Sequence, residues 1–189
     1  MRNMSNRSET EMKIYLIRHG RTVANERSLY CGSTDVGLSD SGREELRGIR
    51  HEIHGVRFLT SGMRRANETL EILFGDVPYE VDERFREVDF GVFEMYSHED
   101  LKDRADFQAW LTGDRENNIP PGGESGTQMR ERAMKAFSEL REDTCVVAHG
   151  GVISRIMEQL FPNEGKSRTQ WQPANGHGYC ITESGYLEL

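Results

Sequence analysis

The stretch Thr144-Cys145-Val146-Val147-Ala148-His149-Gly150-Gly151 decides how this chain is read. A β-branched residue followed by four apolar ones is too short for a helix. Lacking polar alternation, it describes a strand covered on both faces. The run stops at His-Gly-Gly, which opens a loop. Lys13-Ile14-Tyr15-Leu16-Ile17-Arg18-His19-Gly20 has the same form, a short apolar run ending in His-Gly. Phe58-Leu59-Thr60-Ser61 supplies a third short strand. It leads to a helix over 64–74, with Ala66, Leu70 and Leu73 directed inward.

Working outward, Ser39 caps a helix expected to run to about Ile53, with Leu46, Ile49 and Ile53 on one face. A weaker strand follows at Pro78–Val81. A helix is expected over His98–Leu111, with Leu101, Ala105 and Phe107 or Trp110 buried. Residues 117–126 contain Pro-Pro-Gly-Gly and form a loop. Helices at Thr127–Leu140 and Ile153–Leu160 and strands near 178–182 and 186–189 complete the pattern. Strands alternating with helices predict a three-layer α/β/α sandwich with a mostly parallel central sheet. In such folds ligands bind beyond the carboxyl ends of the strands. His19, His149 and the Arg64-Arg65 helix start therefore converge on one rim.

One histidine after a buried strand is most simply a ring satisfied by a nearby carbonyl. Two of them, with arginines alongside, change that balance. Arg18 precedes His19, and Arg21, Thr22 and Asn25 follow in the same loop. Guanidinium groups hold phosphate or carboxylate oxygens in a planar, bidentate way. Neutral imidazole is a competent nucleophile toward phosphorus, so the cluster suggests covalent catalysis at a phosphoryl group.

Composition bounds the partners. The 189 residues carry 24 Lys and Arg against 32 Asp and Glu, a formal charge of −8. That balance disfavours nucleic acid and anionic membrane, and no apolar stretch approaches the roughly 20 residues of a spanning helix. Yet residues 13–27 hold four cations against Glu26 alone, so a basic pocket in an acidic protein would focus a small anion. Residues 1–11 lack the apolar middle of a signal peptide and read as a disordered extension before a single domain over 12–189. Cys31, Cys145 and Cys180 show no CxxC spacing, which argues against a disulfide framework or zinc site and for a cytoplasmic protein. His51 and His54 have HxxH spacing without further ligands nearby and read as a solvated helix face.

The motifs in order are the specific signal. Arg18-His19-Gly20-Arg21-Thr22 with Asn25 comes first, then Tyr30-Cys31-Gly32 with Asp35, Leu38 and Gly42. Ser61-Gly62-Met63-Arg64-Arg65-Ala66 with Thr69 follows, then Arg86-Glu87-Val88-Asp89-Phe90-Gly91 with Phe93-Glu94. Pro121-Gly122-Gly123-Glu124-Ser125 precedes Ala148-His149-Gly150-Gly151. From about Lys13 to Thr182 the chain resembles the histidine phosphatase superfamily, also called phosphoglycerate mutase-like. It is most similar to the small phosphatase branch that includes alpha-ribazole and broad-specificity phosphatases.

The resemblance implies a catalytic set of His19, Glu87, His149, Arg18 and Arg65. His19 would be the phosphorylated nucleophile and Glu87 the general acid/base. Arg18, Arg65 and His149 would surround the phosphoryl group, Arg65 being selected over Arg64 because it directly precedes Ala66. Asn25, Cys31, Gly32 and Gly150 would complete the substrate contacts. No metal and no cofactor is implied, and the partner is a small phosphorylated metabolite, with residues 95–126 as the lid over its pocket. Two departures stand out: Gly62 replaces a frequent Pro, and Met95 replaces the last glycine of Gly-x-Trp-Glu-Gly, placing a side chain beside the acid/base loop.

The implied activity is phosphomonoester hydrolysis through phosphohistidine. The alternative is a phosphoglycerate mutase. Mutases of this family carry a longer insertion before the second histidine, whereas here 61 residues separate Glu87 from His149, which favours access by water. A non-catalytic phosphate-binding protein of the same fold is a weaker alternative, because the full set of His, Arg and Glu residues is present.

Overall fold

A computed structural model of the chain describes residues 11–114 and 116–189. The extension expected over residues 1–11 lies outside that range except for Glu11, whose carboxylate accepts from Ser184 Oγ at 2.8 Å.

Six strands form one sheet in the order β3-β2-β4-β1-β5-β6. They are β1 (Ile14–Arg18), β2 (Arg57–Thr60), β3 (Glu80–Val81), β4 (Thr144–Ala148), β5 (Gly178–Thr182) and β6 (Gly185–Glu188). β1 to β4 run parallel, and β5 and β6 complete the sheet antiparallel. β1 and β4 are central neighbours, with Ile14 opposite Thr144 and Arg18 opposite Ala148. His19 and His149 therefore leave adjacent strands at the same level, and His19 N–H donates to the Ala148 carbonyl at 2.9 Å.

The two-residue period of a strand sends alternate side chains to opposite faces. On one face Ile14, Leu16, Leu59, Val146, Ala148, Tyr179 and Ile181 pack with apolar residues of α6 (Gly126–Ser138) and α7 (Gly150–Leu160) and with Trp171 of α8 (Arg168–Trp171). On the other, Ile17, Phe58, Cys145 and Val147 pack with Ala66 and Leu70 of α3 (Arg64–Phe74) and with Ile53. Helices on both faces give the three layers. The remaining helices are α1 (Val23–Glu26), α2 (Asp40–Arg47), α4 (His98–Leu101) and α5 (Ala105–Leu111).

Several elements depart from the sequence reading. The helix expected to reach Ile53 ends at Arg47, where Gly48 N–H donates to the Glu45 carbonyl and Ile49 N–H to the Leu46 carbonyl. Ile53 is buried from irregular chain instead. The helix expected over 98–111 is two short ones. Arg104 is extended, pairs with Asp106 through Nε and Nη2, and stacks over Phe93. The restart aims Phe107 into a small aromatic core with Phe93 and Leu101 and leaves Ala105 exposed. β3 is only Glu80–Val81, and α7 begins at Gly150 rather than Ile153. His51 Nε2 bonds the Gly176 carbonyl at 2.8 Å, and among the described residues no His, Cys, Asp and Glu group is placed to hold a metal ion.

Candidate active site

His19, Arg65 and His149 are buried at the carboxyl ends of β1, β2 and β4, and Arg18 ends β1 beside them. The histidine rings meet edge to face with centroids 5.1 Å apart. His19 Nδ1 lies 2.7 Å from the Gly20 carbonyl, which only accepts, so Nδ1 carries the hydrogen and Nε2 keeps its lone pair. The opposite tautomer holds at His149. Arg65 Nε donates to its Nδ1 at 3.3 Å, leaving Nε2–H to donate to Ser61 Oγ at 2.8 Å. Burial, reinforced by Arg65, holds both rings well below the ordinary imidazole pKa of 6.5.

Arg65 Nη1 donates to the Thr34 carbonyl and Nη2 to the Gly32 carbonyl, at 2.9 and 2.7 Å. Three of its five N–H bonds are thus engaged, and two remain for a ligand. Arg64, one position earlier, points outward and pairs with Glu68 at 2.8 Å. Arg18 donates from Nη1 to the Pro173 carbonyl, while its Nε is buried without a partner among the described residues. A guanidinium N–H not committed to the protein, beside a neutral imidazole, is suited to donate to an anionic oxygen. Thr69 ties the shell together, accepting from Gly20 N–H at 2.8 Å and donating to the Arg65 carbonyl at 2.6 Å.

Glu87 approaches from the loop after β3. Its Oε2 accepts from Gly151 N–H at 2.8 Å, and its Oε1 from Val88 N–H at 2.9 Å. A Cβ on Gly151 would collide with this carboxylate, so the second glycine after His149 is the residue that lets Glu87 in. Arg132 clamps the Glu87 loop, donating to the carbonyls of Arg84, Arg86 and Glu87 while it pairs with Glu124.

The other expected residues are less free. Asn25 Oδ1 accepts from Thr22 N–H and Oγ1, capping α1, and its side-chain Nδ2 makes no hydrogen bond among the described residues. Gly32 N–H is taken by Glu94 and its carbonyl by Arg65. A Cβ there would overlap the Val88 carbonyl. Cys31 Sγ donates to the Thr34 carbonyl, and burial raises its thiol pKa, so it holds no ready thiolate. Gly150 is buried at the first turn of α7, beside the Gln172 side chain.

Three contributors were not assigned a role from sequence. Ser61 Oγ accepts from His149 Nε2–H, and Asn175 Nδ2 donates to the His19 carbonyl at 2.8 Å. Glu94 accepts from the N–H groups of Gly32, Ser33, Thr34 and Phe90, binding the Cys31 loop to the Glu87 loop. Ser61 and Glu94 lie within the quoted motifs, which was the available signal. Beside this cluster lies a cavity of about 480 Å³ whose walls include Tyr30, Phe90, Trp110, Ser154, Arg155 and Arg168. Neither histidine lines it. It abuts the site through Val88 and through Arg155, whose Nη1 donates to the Gly151 carbonyl at 3.3 Å.

Paired neutral imidazoles flanked by two guanidiniums and a carboxylate make the layout of an enzyme that handles phosphoryl groups. The chain belongs to the histidine phosphatase superfamily (branch 1), whose profile matches residues 14–186. It is 32% identical over 162 residues to the adenosylcobalamin/alpha-ribazole phosphatase of Escherichia coli K12, covering 79% of each chain. A 2,3-bisphosphoglycerate-dependent phosphoglycerate mutase of Parvibaculum lavamentivorans is 29% identical over 165 residues, covering 78% of this chain and 79% of that one. Among solved structures, a candidate alpha-ribazole-5'-P phosphatase from Escherichia coli K-12 superposes with a TM-score of 0.80 at 26% identity, covering 95% of both chains. The chain is therefore a phosphatase-type enzyme with a phosphoglycerate mutase-like α/β fold.

Proposed function

We propose that the chain is a phosphomonoesterase that hydrolyses a small phosphorylated metabolite through a phosphohistidine on His19. The observation that carries this reading is the His19 tautomer. Its Nδ1–H is committed to the Gly20 carbonyl, leaving the Nε2 lone pair beside Arg18 and Arg65. Nε2 attacks phosphorus, the N–P bond forms, and the P–O bond to the alcohol breaks. Glu87 in its protonated form gives its proton to the departing oxygen. As carboxylate it then takes one from the water that attacks the phosphohistidine, releasing inorganic phosphate and restoring His19.

The two guanidiniums supply the charge that stabilises the equatorial oxygens, so no step needs a metal. His149 has both ring nitrogens engaged, so its contact with phosphate exchanges the Ser61 or Arg65 bond for one to a phosphate oxygen. Asn25 offers its amide N–H groups to the same oxygens. Residues 95–126 cover the leaving-group side as a lid, Trp110 and Asn118 lining the large cavity.

Replacing His19 with Ala is expected to abolish both phosphomonoester turnover and acid-labile phosphoryl labelling. Full turnover by that variant would overturn the mechanism. The name of the Escherichia coli relative makes alpha-ribazole phosphate the first substrate to test. Comparing phosphate release with isomerisation of a phosphoglycerate separates hydrolase from mutase.

A further inference from the structure

The leaving-group cavity carries two arginines that the chemistry above does not use, and both are bound by one carboxylate. Glu116, on the lid side, accepts from Arg155 Nε at 2.9 Å through Oε1 and pairs with Arg168 Nη1 through Oε2. Arg155 also reaches the Gly151 carbonyl, and Gly151 N–H holds Glu87, so the pair begins one peptide from the acid/base. Arg155 and Glu116 are mostly enclosed, with side chains 15% and 20% exposed. The other acids near these arginines, Glu124 in the cavity wall and Glu158 outside it, leave no surplus positive charge. Glu124 is paired with Arg132 at 2.7 Å, and Glu158 lies 3.8 Å from Arg168.

We infer that Glu116 is a specificity-determining residue that occupies the anion site formed by Arg155 and Arg168 and so excludes substrates bearing a second anionic group. The inference rests on the phosphatase reading of the site. A phosphoryl group finds free guanidinium N–H at Arg18 and Arg65. A carboxylate or second phosphate on the leaving group finds Arg155 and Arg168 already neutralised and Glu116 repelling it. An uncharged leaving group meets instead the aromatic rings of Tyr30, Phe90 and Trp110 and the hydroxyls of Ser154, Ser167 and Thr169. Selectivity here comes from a repulsive element as much as from attraction.

The matched probes are glycerol 3-phosphate and 3-phosphoglycerate, which differ by a carboxylate in place of a hydroxymethyl group. Their dissociation constants are measured by calorimetry in a His19→Ala background, where binding is read without turnover. Glu116→Gln keeps the shape and removes the charge. It is expected to shift the ratio of the two affinities toward 3-phosphoglycerate by about tenfold, about 1.4 kcal/mol. Arg168→Gln, whose side chain is 41% exposed, is expected to shift the ratio the other way. The double variant returns close to the starting ratio.

An unchanged ratio in folded Glu116→Gln would overturn the inference. Should that variant fail to fold, Arg168→Gln decides alone, and an unshifted or reversed ratio there overturns it. Turnover of both compounds by the chain with His19 intact is measured in parallel. Absence of turnover of these two and of every other phosphomonoester in a panel that includes alpha-ribazole phosphate, with a shifted binding ratio, would refute the hydrolytic reading and leave the Glu116 assignment standing.

Discussion

The two buried neutral histidines make stability depend on pH in a defined window. In the unfolded chain each ring titrates near its ordinary 6.5, whereas in the fold burial displaces that titration well downward. Between pH 7.5 and 5.5 the unfolded state therefore takes up protons that the native state does not. Stability then rises with pH and is lost on acidification. For a ring that stays neutral in the fold, passing from about one-tenth to about nine-tenths protonated in the unfolded state costs about 1.4 kcal/mol. Two rings give about 2.7 kcal/mol, a sizeable part of an ordinary domain's stability. Carboxylates held low by their partners, such as Glu68, which accepts from Leu38 N–H and pairs with Arg64 and Arg43, act in the same direction but at lower pH. Their stabilisation is present above the usual carboxylate range and is lost only below the window. Urea unfolding at pH 7.5, 6.5 and 5.5 measures the effect as a falling midpoint at constant slope. His19→Ala, with one of the two rings removed, is expected to show about half the dependence. A midpoint that stays flat to within about 0.5 kcal/mol across the window would refute the assignment of both rings as neutral.

Nitrogen NMR of the folded protein is expected to show opposite tautomers, Nδ1–H at His19 and Nε2–H at His149, because their fixed partners are a carbonyl and an arginine N–H. The same tautomer at both would refute the hydrogen-bond assignment. Met95→Gly is expected to stabilise by about 0.5–1 kcal/mol, since Met95 sits at φ 63 and relief of left-handed strain exceeds the entropy cost of glycine. Chemical denaturation checks the sign, and a loss of stability would overturn it. Glu94→Gln removes the charge that four backbone N–H groups address, and a loss of about 2–3 kcal/mol is expected. Faster hydrogen exchange at residues 32–34 would accompany it.

The rim was legible in the sequence because strand ends are local: an apolar run stopping at His-Gly places its histidine without knowledge of the rest. That β1 and β4 are neighbours in register is a pairing across 130 residues, and no local signal carries it. The break at Lys102–Arg104 was hidden for a similar reason. Apolar spacing continues through it, and what interrupts the helix is Arg104 turning to Asp106 and Phe93. Ile53 shows the reverse, a core position correctly read as inward and wrongly given helical backbone. Met95 is visible in the sequence as an odd residue in a motif, where only its added side chain can be read. The structure shows backbone handedness instead. Ser61 and Glu116 act on partners 88 and 39 or 52 residues away, so only the folded chain reveals them.

The placement of His19 and His149 on the two central strands separates the enzyme into parts that fail differently. β1 and β4 are each flanked on both sides, so the strands carrying the histidines are released only after β2 or β5 has peeled away. The segment around α4 and α5, by contrast, has its own small core of Phe93, Leu101 and Phe107. On the proposed function, loosening it would change which alcohol is accepted while the residues around His19 and His149 stay assembled. If that segment is the lid proposed above, insertions and replacements between Met95 and Gly122 retune the substrate without touching the reaction, leaving the sheet as a fixed chemical head beneath an exchangeable cover.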